Sequence, residues 1–162
     1  MKITGTIDAT EIDPMLSAIR QSLVDATEGW AAEFGAKQVV VVSPDDTEQG
    51  IDAAIKQAMG KSTGLCLLII AGDGKNPDKD APGPLCNVEL EMQLYVSTRM
   101  RAKTARSPMA LVSGLARFFH HAKLSVPDGP EWYETIKFLG FTALADPDFT
   151  AFAINFEREL EL

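Results

Sequence analysis

The chain of 162 residues, 46% apolar and 23% charged, has the length of one domain and enough apolar content to bury roughly 70% of its unfolded surface. Those values exclude a disordered segment, a collagen-like repeat and a disulfide-stapled miniprotein. Its 23 acidic against 15 basic side chains give a net charge of −8, the wrong sign for a non-specific binder of nucleic acid or of an anionic membrane.

In chain order, residues 1–12 never build a hydrophobic run of signal-peptide length, so no leader is expected there. Asp13 and Pro14 suit a helix start, as a cap and a first-turn proline. Leu16, Ile19, Leu23, Ala26 and Trp30 then recur at helical spacing, which predicts one amphipathic helix running to about Phe34 and ended by Gly35. Val39 to Val42 reads as a short strand covered on both sides, because four β-branched residues suit a pleated surface. Ile51, Ala54, Ile55, Ala58 and Met59 mark a second helix, and Gly60 and Gly64 bracket its exit into a strand over residues 65–71. Strand, helix and strand together predict a βαβ unit.

Residues 72–84 turn to Gly, Pro, Asp, Asn and Lys and read as an exposed loop, placed at about 72–86. Val88, Leu90, Met92, Leu94 and Val96 alternate with Glu89, Glu91, Gln93 and Tyr95, the pattern of a strand with one wet face. Ser107 and Pro108 open a third helix, expected to reach Leu124, whose Leu111, Val112, Leu115, Phe118, Phe119 and Ala122 form an apolar stripe. Residues 132–144 predict a strand interrupted at Gly140, with Ile136, Phe138 and Leu144 on one face and Tyr133, Leu139 and Phe141 on the other. Asp146, Pro147 and Asp148 form a turn into a last strand, where Phe152, Ile154, Phe156 and Leu160 share a side, so the final two strands make a hairpin. The longest apolar runs fall far short of the roughly 20 residues that span a bilayer, and the whole reads as one soluble α/β (α+β) domain over residues 1–162.

Charge is unevenly distributed. Residues 97–127 carry 6 basic and no acidic side chains, whereas residues 128–162 carry 2 basic and 8 acidic. Arg99, Arg101, Lys103 and Arg106 sit between the alternating strand and the third helix. They form either a solvated loop or a surface complementary to an acidic patch on a neighbouring subunit or to passing phosphates; the acidic balance of the chain favours the subunit.

The chemical motifs are few. Gly60, Lys61 and Ser62 mimic the end of a phosphate-binding loop, but position 55 is Ile where a glycine is needed, and the tripeptide leaves a helix rather than opening one. Ala71 to Gly74 could bring backbone amides and the Asp73 carboxylate to a ligand at a strand end, although a simple turn explains the same residues. His120 and His121 are sequence neighbours and diverge by about 100 degrees on a helix, which denies them a shared metal. Cys66 and Cys86 form no CxxC pair and no metal-ligand cluster, which suits a reduced, cytoplasmic chain. Glu89 and Glu91, and Glu157, Glu159 and Glu161, are read as wet strand faces. No catalytic, cofactor-binding or metal-binding residue is assigned, and no enzymatic activity is expected.

The order of elements carries a likeness. Val88, Leu90, Met92, Leu94 and Val96 run into Arg99, then a helix, then two strands in which Leu139, Gly140 and Phe141 precede Phe152, Ile154 and Phe156. Over about two-thirds of its length the chain resembles the tail terminator, or tail completion, proteins of long-tailed bacteriophages and prophages. The resemblance implies a mixed, largely antiparallel sheet flanked by helices, and a structural virion protein that forms a homo-oligomeric, hexameric ring. Such a ring caps the tail tube, joins it to head-completion proteins, assembles in the host cytoplasm, stays in the virion tail and leaves room for non-specific DNA contact through the tube lumen. Its intersubunit contacts are then expected at Arg99, Arg101, Lys103 and Arg106 and at Glu157 and Glu159. The βαβ-like segment 39–70 and the 72–84 loop stand outside that pattern, and a true parallel unit there argues against it. The other reading is a small α/β ligand-binding or enzymatic domain using the 71–74 strand end, with the following loop as a lid.

Overall fold

The computed structural model describes residues 12–26, 29–43, 45–59, 64–80, 82, 85–97, 107–120 and 136–161. Within them lie helices α1 (Ile12–Asp25), α2 (Glu48–Met59) and α3 (Pro108–Phe119), and strands β1 (Val39–Val42), β2 (Leu65–Lys75), β3 (Leu85–Ser97), β4 (Lys137–Leu144) and β5 (Phe149–Glu161). The strands form one sheet in the order β1-β2-β3-β5-β4. β1 and β2 are parallel across the α2 crossover, and every other pair is antiparallel. The fold is therefore α+β with a mixed, mostly antiparallel sheet, and residues 39–70 form a true βαβ unit.

Period-two alternation decides how this sheet is covered. Val88, Leu90, Met92, Leu94 and Val96 are buried on one face, joined there by Leu65, Leu67 and Ile69 of β2 and Ile154 and Phe156 of β5. α1 closes that face with Met15, Leu16, Ile19 and Leu23, and α3 with Leu111, Val112, Leu115 and Phe119. Each large side chain buried this way contributes roughly 1.5–3 kcal/mol. On the opposite face α2 lays Ile55, Ala58 and Met59 over Val42, Cys66 and Leu68, a smaller apolar cluster centred on β1 and β2 and bordered by Tyr95 and Phe149.

Local sequence accounts for several boundaries. The Ser107 hydroxyl accepts a hydrogen bond from the Ala110 amide at 3.2 Å, capping α3 one residue before Pro108. Gly64 takes φ +64 just ahead of β2, a conformation that side chains bearing a Cβ resist. Arg20 of α1 donates through Nε to the Val39 carbonyl at 2.8 Å and through Nη2 to the Ala36 carbonyl at 2.6 Å, tying the helix to the outer edge of β1.

Four expectations need correction. The first helix stops at Asp25; Trp30 reaches the same core from a separate 3-10 turn, Gly29–Glu33, that begins at Gly29 with φ +60, and Phe34 reaches it from the residue just after that turn. β2 does not end at Ala71 but continues to Lys75, because β3 supplies partners for Gly74 and Lys75 beyond an irregularity at residues 71–74; the loop is narrower than expected. α3 ends at Phe119, where His120 turns extended at φ −64 and ψ 123, and Ala122 and Leu124 lie outside the described residues. In β4 the register shifts between Phe138 and Gly140, so Phe141 falls opposite Ile154 on the helix-covered face and Leu144 opposite Ala151 on the other. Leu144 and Phe141 thus exchange the faces that strict alternation assigns them.

Candidate functional site

Among the described residues, the part of the sheet beyond α2 presents a polar face built from alternate residues of β3 and β5. Cross-strand register places Glu89 opposite Glu157, Glu91 opposite Asn155, Gln93 opposite Ala153 and Tyr95 opposite Ala151. Asn87 pairs with Glu159 at the far end, where Glu159 is exposed. Like charges directly across an antiparallel pair repel, so Glu89 and Glu157 need compensation. Lys137 of β4 is the register partner of Glu157 across the ladder, and Lys75 stands 3.8 Å from Glu89. Both Lys75 and Glu89 keep most or half of their side-chain surface in water, at 76% and 52%, so this pair is screened and weak.

Backbone shape makes room for the carboxylates. A Cβ on Gly72 would stand 3.1 Å from the Glu89 Cβ and 3.3 Å from its carbonyl oxygen, so glycine lets the irregular stretch of β2 pass close to β3. Further along the same face the side chains at i, i+2 and i+4 of β3 are linked. The Tyr95 hydroxyl donates to Gln93 Oε1 at 2.8 Å, and Gln93 Nε2 donates to Glu91 Oε1. Partial burial raises the Tyr95 hydroxyl pKa above its ordinary value, with the Asp146 carboxylate, the Cys66 thiol, Asp52 and Glu91 adding in the same direction. The phenol is therefore a hydrogen-bond donor fixed in its neutral form. Tyr95 also meets Phe149 edge-on, ring centres 6.3 Å apart, closing the dry patch under α2 from the acidic end of the face.

Of the interface residues expected from sequence, Glu157 and Glu159 sit on this face, with Glu89 and Glu91 beside them. Arg99, Arg101, Lys103 and Arg106 lie outside the described residues, as do Gly60, Lys61, Ser62 and His121. Ala71 to Gly74 lies in the last, irregular stretch of β2, which runs on to Lys75, with Gly72, Asp73 and Gly74 exposed. His120 acts structurally: its Nδ1 accepts the Phe138 amide at 3.1 Å and ties the end of α3 to β4. Cys66 is fully buried and Cys86 partly so, both as free thiols. Among the described residues no group of three or more His, Cys, Asp and Glu side chains is placed to hold a metal, and no helix is long and apolar enough to cross a membrane.

Two features of this surface escaped the sequence. The Glu89–Glu157 opposition depends on the β3–β5 register, between strands far apart in the sequence. The placement of Lys137 opposite Glu157 depends on the irregularity in β4. The only advance signal was the run of alternating carboxylates on both strands. The chain matches no protein-family model and no curated protein.

Proposed function

We propose that this chain is a structural subunit of a bacteriophage or prophage tail, a tail terminator-like protein whose ring, with six subunits expected, caps the tail tube and joins it to the head. The observation that carries the reading is the acidic row on the open face of β3 and β5, Glu89, Glu91, Glu157 and Glu159, in a chain whose residues 97–127 bear only positive charge. A ring needs two different surfaces that complement each other, and an acidic sheet face with an acid-free basic segment meets that requirement. Arg99, Arg101, Lys103 and Arg106 of one subunit then meet Glu157 and Glu159 of the next.

The antiparallel part of the sheet, β3 followed by α3 and the β4–β5 hairpin, supports the likeness to terminators. The β1–α2–β2 unit is foreign to that pattern and counts against it; it occupies one margin of the sheet and leaves the antiparallel order intact. Such a subunit assembles in the host cytoplasm, stays in the virion tail and carries out no catalysis. Absolute solution mass by light scattering tests the reading. A species near 105 kDa at low salt, six times the 17.5 kDa chain, which shrinks at high salt and on Arg101→Glu with Lys103→Glu, is the expected result. A mass indifferent to salt and to both reversals overturns the assigned contacts.

A further inference from the structure

We propose that the outer edge of β4 is a two-fold self-association surface that pairs antiparallel with β4 of a second copy of this chain. The sheet has two edges, and they are finished differently. β1 is four residues long, and Arg20 occupies its Val39 carbonyl. β4 is eight residues long, and among the described residues no strand lies beyond it. Edge strands are normally blunted by charge, bulges or cover. Lys137 and the irregularity at residues 138–140 blunt the first half of β4. Among the described residues no such device protects the second half: Phe141, Thr142 and Ala143 are all exposed.

Two of the three exposed large apolar side chains in the described residues, Leu139 at 55% and Phe141 at 47%, belong to this one strand. Phe141 also walls a groove of about 290 Å³ against α3, floored by Val112, Ala116 and Phe138. An apolar edge of this kind requires a partner of strand geometry, and the charges say which. β4 begins at Lys137 and ends at the turn that carries Asp146 and Asp148. A second β4 running the opposite way brings the lysine of each copy toward the acidic turn of the other, so the edge is complementary to itself. A two-fold axis through Thr142 keeps helix face continuous with helix face. It sets Phe141 beside Ala143 of the second copy and Thr142 beside its own equivalent, a favourable cross-strand pair.

This contact is isologous, unlike the head-to-tail contact of a ring, and does not depend on the ring reading. Light scattering on the wild-type chain and on Ala143→Lys, Thr142→Lys and Asp148→Lys tests it, with thermal melting to confirm that each variant folds. The wild type should form a species near 35 kDa, twice the 17.5 kDa chain, or an even multiple of it. Ala143→Lys and Thr142→Lys should each raise the dissociation constant of that pair at least about tenfold. Asp148→Lys should raise it less and reduce its salt dependence. Ala143 is small and exposed, so its variant is the one expected to keep the fold. A wild type that stays at 17.5 kDa at its highest attainable concentration overturns the proposal, as does an oligomer unchanged by both edge lysines. A 35 kDa species lost in Ala143→Lys but kept in Arg101→Glu with Lys103→Glu sustains the edge and sinks the ring, and the converse pattern does the reverse.

Discussion

The two faces of the sheet are made by the same strands and obey opposite rules. Along β3 the residues toward α1 and α3 are Val88, Leu90, Met92, Leu94 and Val96, none more than 2% exposed. Their neighbours, Glu89, Glu91, Gln93 and Tyr95, face a side where, among the described residues, α2 lies over β1 and β2. The dry face holds the fold together and would do so whatever the protein's task. The wet face contributes little to stability, since it sets two glutamates against each other, and that imbalance makes it the surface to examine for function.

Breaking the dry face should have the largest effect. Phe119 is fully buried and stacks edge-on against Phe118 and Phe156, with ring centres 4.8 and 5.9 Å away. Phe119→Ala leaves a cavity between α3 and β5 and is expected to cost about 3–5 kcal/mol in denaturant unfolding. Gly114 tests the same face from the other direction. A Cβ there would lie 2.6 Å from Trp30 Cδ2, so the indole, itself edge-on to Phe34 and Phe118, would have to move. Alanine is the better helix former by about 1 kcal/mol, yet Gly114→Ala should destabilise by about 1–3 kcal/mol, because overpacking outweighs propensity. A stabilising Gly114→Ala would show that Trp30 does not pack as described.

The dry face was also the legible one. Alternation alone assigned every core residue of β3, and helical spacing assigned Leu16, Ile19, Leu23, Leu111 and Leu115. Reading failed where tertiary pairing overrides local pattern. Apolar spacing continues through Trp30 and Phe34 although the helix does not, because the turn after Gly29 returns both side chains to the same core. Gly72, Asp73 and Gly74 have the composition of a loop, but β3 runs alongside and supplies ladder partners at Gly74 and Lys75. At Gly140 one extra residue reverses the phase of everything after it, a change that period-two counting cannot detect. Of the acidic surface, the carboxylates could be read from sequence but their opposition could not, since register is a property of the pair.

A smaller effect, and one of opposite sign, should come from the wet face. Glu157→Gln removes one of two opposed carboxylates while keeping the side chain's shape. Monomer stability at low salt should rise by a few tenths of a kcal/mol, about the lower end of a cross-strand charge effect. Any salt-sensitive assembly should weaken at the same time. A variant that loses stability instead would mean that Lys137 outweighs Glu89 as a neighbour of Glu157, making the face a balanced charge network rather than an acidic one.

Cys66 marks the border between the two regimes, and its effect is nil at neutral pH. It lies in the dry patch with Val42, Ile55, Met59 and Leu68, and across the ladder it pairs with Tyr95 on the open side. Burial pushes its thiol from the ordinary 9.0 up to about 12, because a thiolate there would lose its water without gaining a counterion. Below pH 9 the thiol is protonated in both folded and unfolded chains and pH has no leverage through it. Between pH 9 and about 12 only the unfolded chain gives up the proton, so unfolding releases a proton and stability falls as pH rises. The raised Tyr95 hydroxyl acts in the same direction. Unfolding free energy measured across that window should decline, and Cys66 should resist alkylation at pH 8 until denaturant is added. A Cys66 that reacts in the folded protein as fast as a free thiol would mean that the patch under α2 opens to water, and that the division between the dry and wet parts of this face is not maintained in solution.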